Sequence, residues 1–98
     1  MQPQTIIKPL PKPWTIAGQA HTEVELREPT LEDILEAEKE ANPALSPNGF
    51  NVQIACRTLV RVGSFTGPFA PGHFKGLGAK QWQVIREAMQ EAEAMGEA

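Results

Sequence analysis

Three side chains in this sequence, His21, Cys56 and His73, have the chemistry of metal ligands, and Cys56 with His73 also has that of a nucleophile–base pair. A zinc site needs His, Cys, Asp or Glu clustered at ligand spacing. Here the three fall one to a segment with no paired ligand nearby, so no metal centre is expected. A Cys–His pair assembles in space and not in sequence, so spacing leaves it open. A lone cysteine within an apolar segment reads first as a small buried hydrophobe. His73, in Pro-Gly-His-Phe, reads as a turn residue. Gly76-Leu77-Gly78-Ala79-Lys80 precedes a helical pattern and suggests a phosphate loop. It lacks the loop's spacing, the Ser or Thr after the lysine and a preceding buried strand, so a tight turn is the simpler reading. The carboxylates of LEDILEAEKE spread around a helix surface, with Glu36 and Lys39 placed to pair. A solvated face follows, which can also repel wrong partners or meet a basic one. No catalytic, metal or cofactor residues are assigned, and an enzyme is the class least supported.

The residues with most to offer a partner are Trp82, Ile85, Met89 and Ala92, with Met95 beyond. They form one stripe of a helix starting at Ala79, opposed by Glu87, Gln90 and Glu91. The stripe can fill the chain's own core or present Trp and Met to a partner helix, a use both residues suit. Phe65 and Phe69, in the irregular stretch from Ser64 to Gly78, stand next as candidate contacts, and with Phe74 and Leu77 they are expected to anchor that stretch to the core.

The elements that position these groups are legible in part. Pro9, Pro11 and Pro13 forbid helix and favour an extended lead-in over residues 1–13, in which Thr5–Lys8 can add an edge strand. Residues 22–27 alternate, Val24 and Leu26 on one face and Glu23, Glu25 and Arg27 on the other, which predicts a half-buried strand joined to the first through Ala17–Ala20. Pro29 then pushes Glu28 to extended geometry. Thr30 is a good N-cap, with Asp33 at the capping-box position, and Glu32 and Asp33 suit the helix dipole. Leu31, Ile34 and Leu35 are expected to face inward, and the helix to end by Asn42-Pro43. Ser46-Pro47 or Asn48 can cap the next element. Residues 52–62 fit either a helix, through Val52, Ala55, Leu59 and Val62, or a β-branched strand. Gly63 as a C-cap, with Arg57 and Arg61 near the C-terminal end of the dipole, favours helix. The predicted class is α+β, a small N-terminal β-hairpin followed by about three α-helices, with one domain over 14–92 and a flexible acidic tail over 93–98.

With 98 residues, one cysteine, a net charge of −3 and nine scattered basic side chains, the chain suits one small domain in a reducing compartment. It does not suit a phosphate backbone as main partner, which needs clustered Lys and Arg. No apolar run reaches membrane-span length, and the Pro-rich start reads as neither signal nor anchor.

The order of features, strand VELREPT, helix LEDILEAEKE, apolar IACRTLVRVGSF and a final helix, resembles the tail assembly chaperones of long-tailed phages, especially the Mu-like and P2-like group. The short specific motif is Leu26, Arg27, Glu28, Pro29 and Thr30 with Asp33, and the layout extends over roughly residues 20–90. The resemblance implies a non-enzymatic protein of the bacterial host cytoplasm. Such a protein coats the helical, hydrophobic tape measure protein, keeps it soluble during tail assembly and is absent from the virion. It also implies a possible longer frameshifted product and possible self-association. The family supplies no catalytic residues, no cofactor and no client-contact positions. Trp82, Ile85, Met89, Phe65 and Phe69 are expected to touch the client on exposure and helix pattern alone. The alternatives are a structural tail or connector protein retained in the particle, and a small acidic regulator of a host protein.

Overall fold

The computed structural model describes residues 4–95. Strand β1 (Thr5–Ile16) and strand β2 (Gln19–Arg27) form an antiparallel hairpin, followed by helices α1 (Leu31–Glu40) and α2 (Pro47–Thr58). A short strand β3 (Leu59–Val62), a 3₁₀ turn (Pro71–His73) and helix α3 (Ala79–Met95) complete the chain. The sheet is antiparallel with order β1-β2-β3, an α+β arrangement with three helices. Residues 1–3, at the start of the expected lead-in, lie outside the described residues, as do 96–98 of the expected acidic tail, whose Glu93–Met95 end α3.

The hairpin turns at Ala17-Gly18 with φ of 54° and 79°. Two consecutive left-handed residues make a type I′ turn, whose twist matches paired strands. Pairing of β1 with β2 shifts register between Pro9 and Trp14, where Pro11 and Pro13 have no N–H to offer. Gln81 of α3, 5% exposed, covers the interruption: its amide accepts from the Lys12 N–H at 3.3 Å and donates to the Lys12 carbonyl. Prolines on this outer strand also deny a further strand its full ladder.

The segment left open between helix and strand is both. Its helix runs to Thr58, whose hydroxyl donates to the Ile54 carbonyl at 2.9 Å, and Leu59 is already extended at φ −64°, ψ 122°. From there Val62 pairs with Val24 and Arg61 with Glu25, so the third strand exists because β2 has an open edge to satisfy. Gly63 is therefore not a helix C-cap, as expected from sequence. It sits beyond the strand at φ +57°, donating to the Glu23 carbonyl at 2.9 Å, and its α-carbon abuts the buried His21 ring so closely that a Cβ there would collide with it.

The core lies between the sheet and α3. Val24, Leu26 and Val62 from the sheet, Trp14 and Ile16 from β1, Ile54 and Ala55 from α2, and Ile85, Ala88, Met89 and Ala92 from α3 are all buried. Helix α1 packs on α2 and buries Asp33 and Ala37, not the expected leucines. Leu31 is 69% exposed and Leu35 50%, a correction to the inward stripe, while Ile34 is half-buried. The reason is geometric. Asp33 must reach back to Arg27 and Thr30, and residues two positions to either side lie about 160° away on a helix of 3.6 residues per turn.

Candidate partner-binding surfaces

The α1 corner is built around one carboxylate. Asp33 accepts from Arg27 Nη1 at 2.7 Å and Nη2 at 3.1 Å, and from the Thr30 N–H at 2.8 Å and hydroxyl at 3.0 Å. The Thr30 hydroxyl accepts in turn from the Asp33 N–H at 3.2 Å, closing the capping box. The Arg27 guanidinium, first, then the Thr30 donors hold the Asp33 carboxyl below its usual range, against a partial opposing effect of burial. Arg27 also donates to the carbonyls of Glu28 and Arg57, at 3.1 and 2.6 Å, tying the strand end to α1 and the end of α2. Arg27, Glu28, Pro29, Thr30 and Asp33 thus act as a structural joint.

Of the five expected partner contacts, the structure places two inside. Ile85 is fully buried and Met89 is 9% exposed, both against the sheet. Trp82 stays half-buried in the first turn of α3, where its backbone N–H donates to the Gly78 carbonyl at 3.1 Å. Its ring meets Phe74 edge-on at 5.9 Å, and Phe74 meets the buried Trp14 at 5.1 Å. Trp14 donates its indole N–H to the His73 carbonyl at 3.1 Å. Phe65 and Phe69, both half-buried, form a separate edge-on pair at 5.3 Å, and Phe65 lies 5.7 Å from the His73 ring. The two aromatic groups meet at the Pro71–His73 turn.

Beside Trp82 opens a cleft of about 660 Å³ between the end of α1, the start of α2 and the start of α3. Val52, Phe74, Leu77 and Trp82 give it apolar walls, with Glu40, Gln53 and Lys75 among its polar side chains. Sequence reasoning did not find Val52, Phe74, Leu77 and Trp82 as a set, because α2, the connection after the 3₁₀ turn and α3 contribute them. The signal for Leu31 and Leu35 was present: a capping Asp33 that faces the joint turns both leucines to solvent.

The groups considered for chemistry sit elsewhere. Cys56 is half-buried, and burial pushes its thiol up to about 11, with the nearby Arg57 charge opposing; an activated nucleophile needs the reverse. His73 Nδ1 accepts from the Ala70 N–H at 3.0 Å. His21 is 6% exposed with its Nε2 unpartnered. Among the described residues no three His, Cys, Asp or Glu side chains converge as metal ligands, and no helix is long and apolar enough to cross a membrane. On the outward sheet face Arg61 bridges Glu23 at 2.9 Å and Glu25 at 2.7 Å, and the Thr5 hydroxyl donates to Glu25 at 2.6 Å. Those bonds, Thr5 first, hold the Glu25 carboxyl below its usual range, so this face satisfies itself.

Compared with known proteins, residues 9–93 match the family model described as phage tail assembly chaperone proteins, E, or 41 or 14. No curated protein and no solved structure matches the chain.

Proposed function

Because the chain belongs to the phage tail assembly chaperone family, we propose that it binds the tape measure protein and keeps that long helical client soluble until the tail tube closes around it. The observation that supports this most directly is the open cleft at Trp82: a half-buried indole edge-on to Phe74, beside apolar walls from Val52, Phe74 and Leu77. A cleft of this kind receives apolar side chains projecting from a helix. Phe65 and Phe69 extend the contact, while Ile85 and Met89, buried against the sheet, hold α3 in place. An exposed apolar helix aggregates before assembly, and a binder with net charge −3 covers such a stripe while adding repulsion between complexes. The protein acts in the host cytoplasm, leaves before the virion matures, and works with a longer frameshifted product of its own gene where one is made.

The test is co-expression with the longest, coiled-coil-rich protein of the same gene cluster. The soluble fraction of that protein rises with this chain, and less so with Trp82→Ala, whose melting temperature is measured alongside to separate binding from folding. A client equally insoluble with and without the chain sinks the proposal. Stoichiometric amounts of the chain in purified virions, by mass spectrometry, would replace it with a structural role in the particle.

A further inference from the structure

Leu31 and Leu35 stand one turn apart on the solvent side of α1, 69% and 50% exposed, and contribute nothing to the core. Leucines on a folded surface are ordinary one at a time; two on one helix face form an unpartnered stripe. Their surroundings are mainly acidic. On a helix of 3.6 residues per turn, Glu32, Glu36 and Lys39 flank one side of the pair and Glu38 the other, with Glu28 just before the helix. The single cation there, Lys39, is held by Glu36 at 3.0 Å. Of the other acids of the helix, Asp33 points inward to Arg27 and Glu40 lies at the Trp82 cleft.

We propose that this outer face of α1 docks a helix of a partner protein whose apolar stripe is flanked by Lys and Arg. The leucines supply the apolar contact and the glutamates select the partner's charge and speed its approach. The same rim opposes the other occupants. A second copy laid on this face brings glutamates against glutamates, and nucleic acid or an anionic membrane brings phosphate against them. Neither Leu31 nor Leu35 lines the Trp82 cleft, so the two surfaces act independently and this inference does not rest on the cleft being a client site.

The probe is a fluorescently labelled synthetic amphipathic helix with Leu on one face and Lys on the flanks, with an otherwise identical peptide carrying Glu on the flanks as control. Anisotropy titration of the full chain shows saturable binding of the basic peptide, weakening as salt is raised, and none of the acidic one. Leu31→Ser/Leu35→Ser weakens binding by about tenfold or more, as does Glu32→Gln/Glu36→Gln/Glu38→Gln, while Trp82→Ala leaves it unchanged. Both multiple variants change exposed side chains that make none of the Thr30–Asp33 cap bonds, and unchanged thermal melts verify their folding. The proposal is overturned by no saturable binding up to the solubility limit of the basic peptide, by equal affinity for the two peptides, or by wild-type affinity in the leucine variant. Concentration-dependent dimerisation lost in the leucine variant overturns it in favour of a second copy.

Discussion

Replacing Asp33 by alanine removes four hydrogen bonds, two from Arg27 and two from Thr30, from a side chain that is 12% exposed. The loss has two parts. The reciprocal half of the capping box is worth about 0.5–1 kcal/mol. The bidentate pair lies between the surface and the buried cases, because the Arg27 side chain is 34% exposed and is partly rehydrated once its partner is gone. It contributes about 1–2 kcal/mol, above an exposed ion pair and below a buried one. Asp33→Ala should therefore destabilise by about 2–3 kcal/mol, lowering the melting temperature by about 10–20 °C in a domain of this size. Asp33→Asn keeps the shape without the charge and provides the pH arm. The Asp33 carboxyl is held below its unfolded value of about 3.9. Its contribution is therefore complete above that pH and is lost as pH falls through the lower folded value. Thermal melts from pH 7 to pH 2.5 should show the gap between wild type and Asp33→Asn constant at neutral pH and closing below about pH 4. A gap that persists undiminished to pH 2.5, or an Asp33→Ala protein melting within about 2 °C of wild type, refutes the account of this corner.

Gly63→Ala should destabilise by about 2–4 kcal/mol in urea titration, since it adds a left-handed backbone cost to a Cβ driven against His21. Gly18→Ala, with φ +79° but open space around it, should lose only the backbone part, about 1–2 kcal/mol. Cys56, with its thiol pushed up to about 11, should react with a disulfide reagent at pH 8 roughly two orders of magnitude more slowly than a free cysteine, and at the ordinary rate once unfolded. Gln81→Ala should cost about 1–2 kcal/mol, with faster hydrogen exchange at the Lys12 amide that Gln81 accepts from; unchanged exchange at that amide would mean the glutamine does not hold the strand.

What the sequence determined by itself was local. Alternation at Val24 and Leu26, the stop at Pro29, the Thr30 cap and the Trp82-Ile85-Met89-Ala92 periodicity depend on neighbours within a turn or two, so the hairpin, α1 and α3 were readable, with the end of β2 and the starts of α1 and α3; β1 runs on past Lys8 to Ile16, and α3 to Met95. The family resemblance rested on that same local corner, Leu26 to Asp33. The rest depended on contacts between distant segments. Leu59–Val62 became a strand because β2 offered an unpaired edge, a choice that intrinsic propensity left open. Gly63 was needed for its approach to His21, some forty residues earlier, and Gln81 for two polar groups of Lys12 on another element. Leu31 and Leu35 look like core residues by type. Their exposure was decided by Arg27, which holds Asp33 inward and so rotates the leucines to solvent. The cleft at Trp82 is of the same kind. Its walls come from Val52, Phe74 and Leu77 as well, and only packing of three elements brings them to one surface.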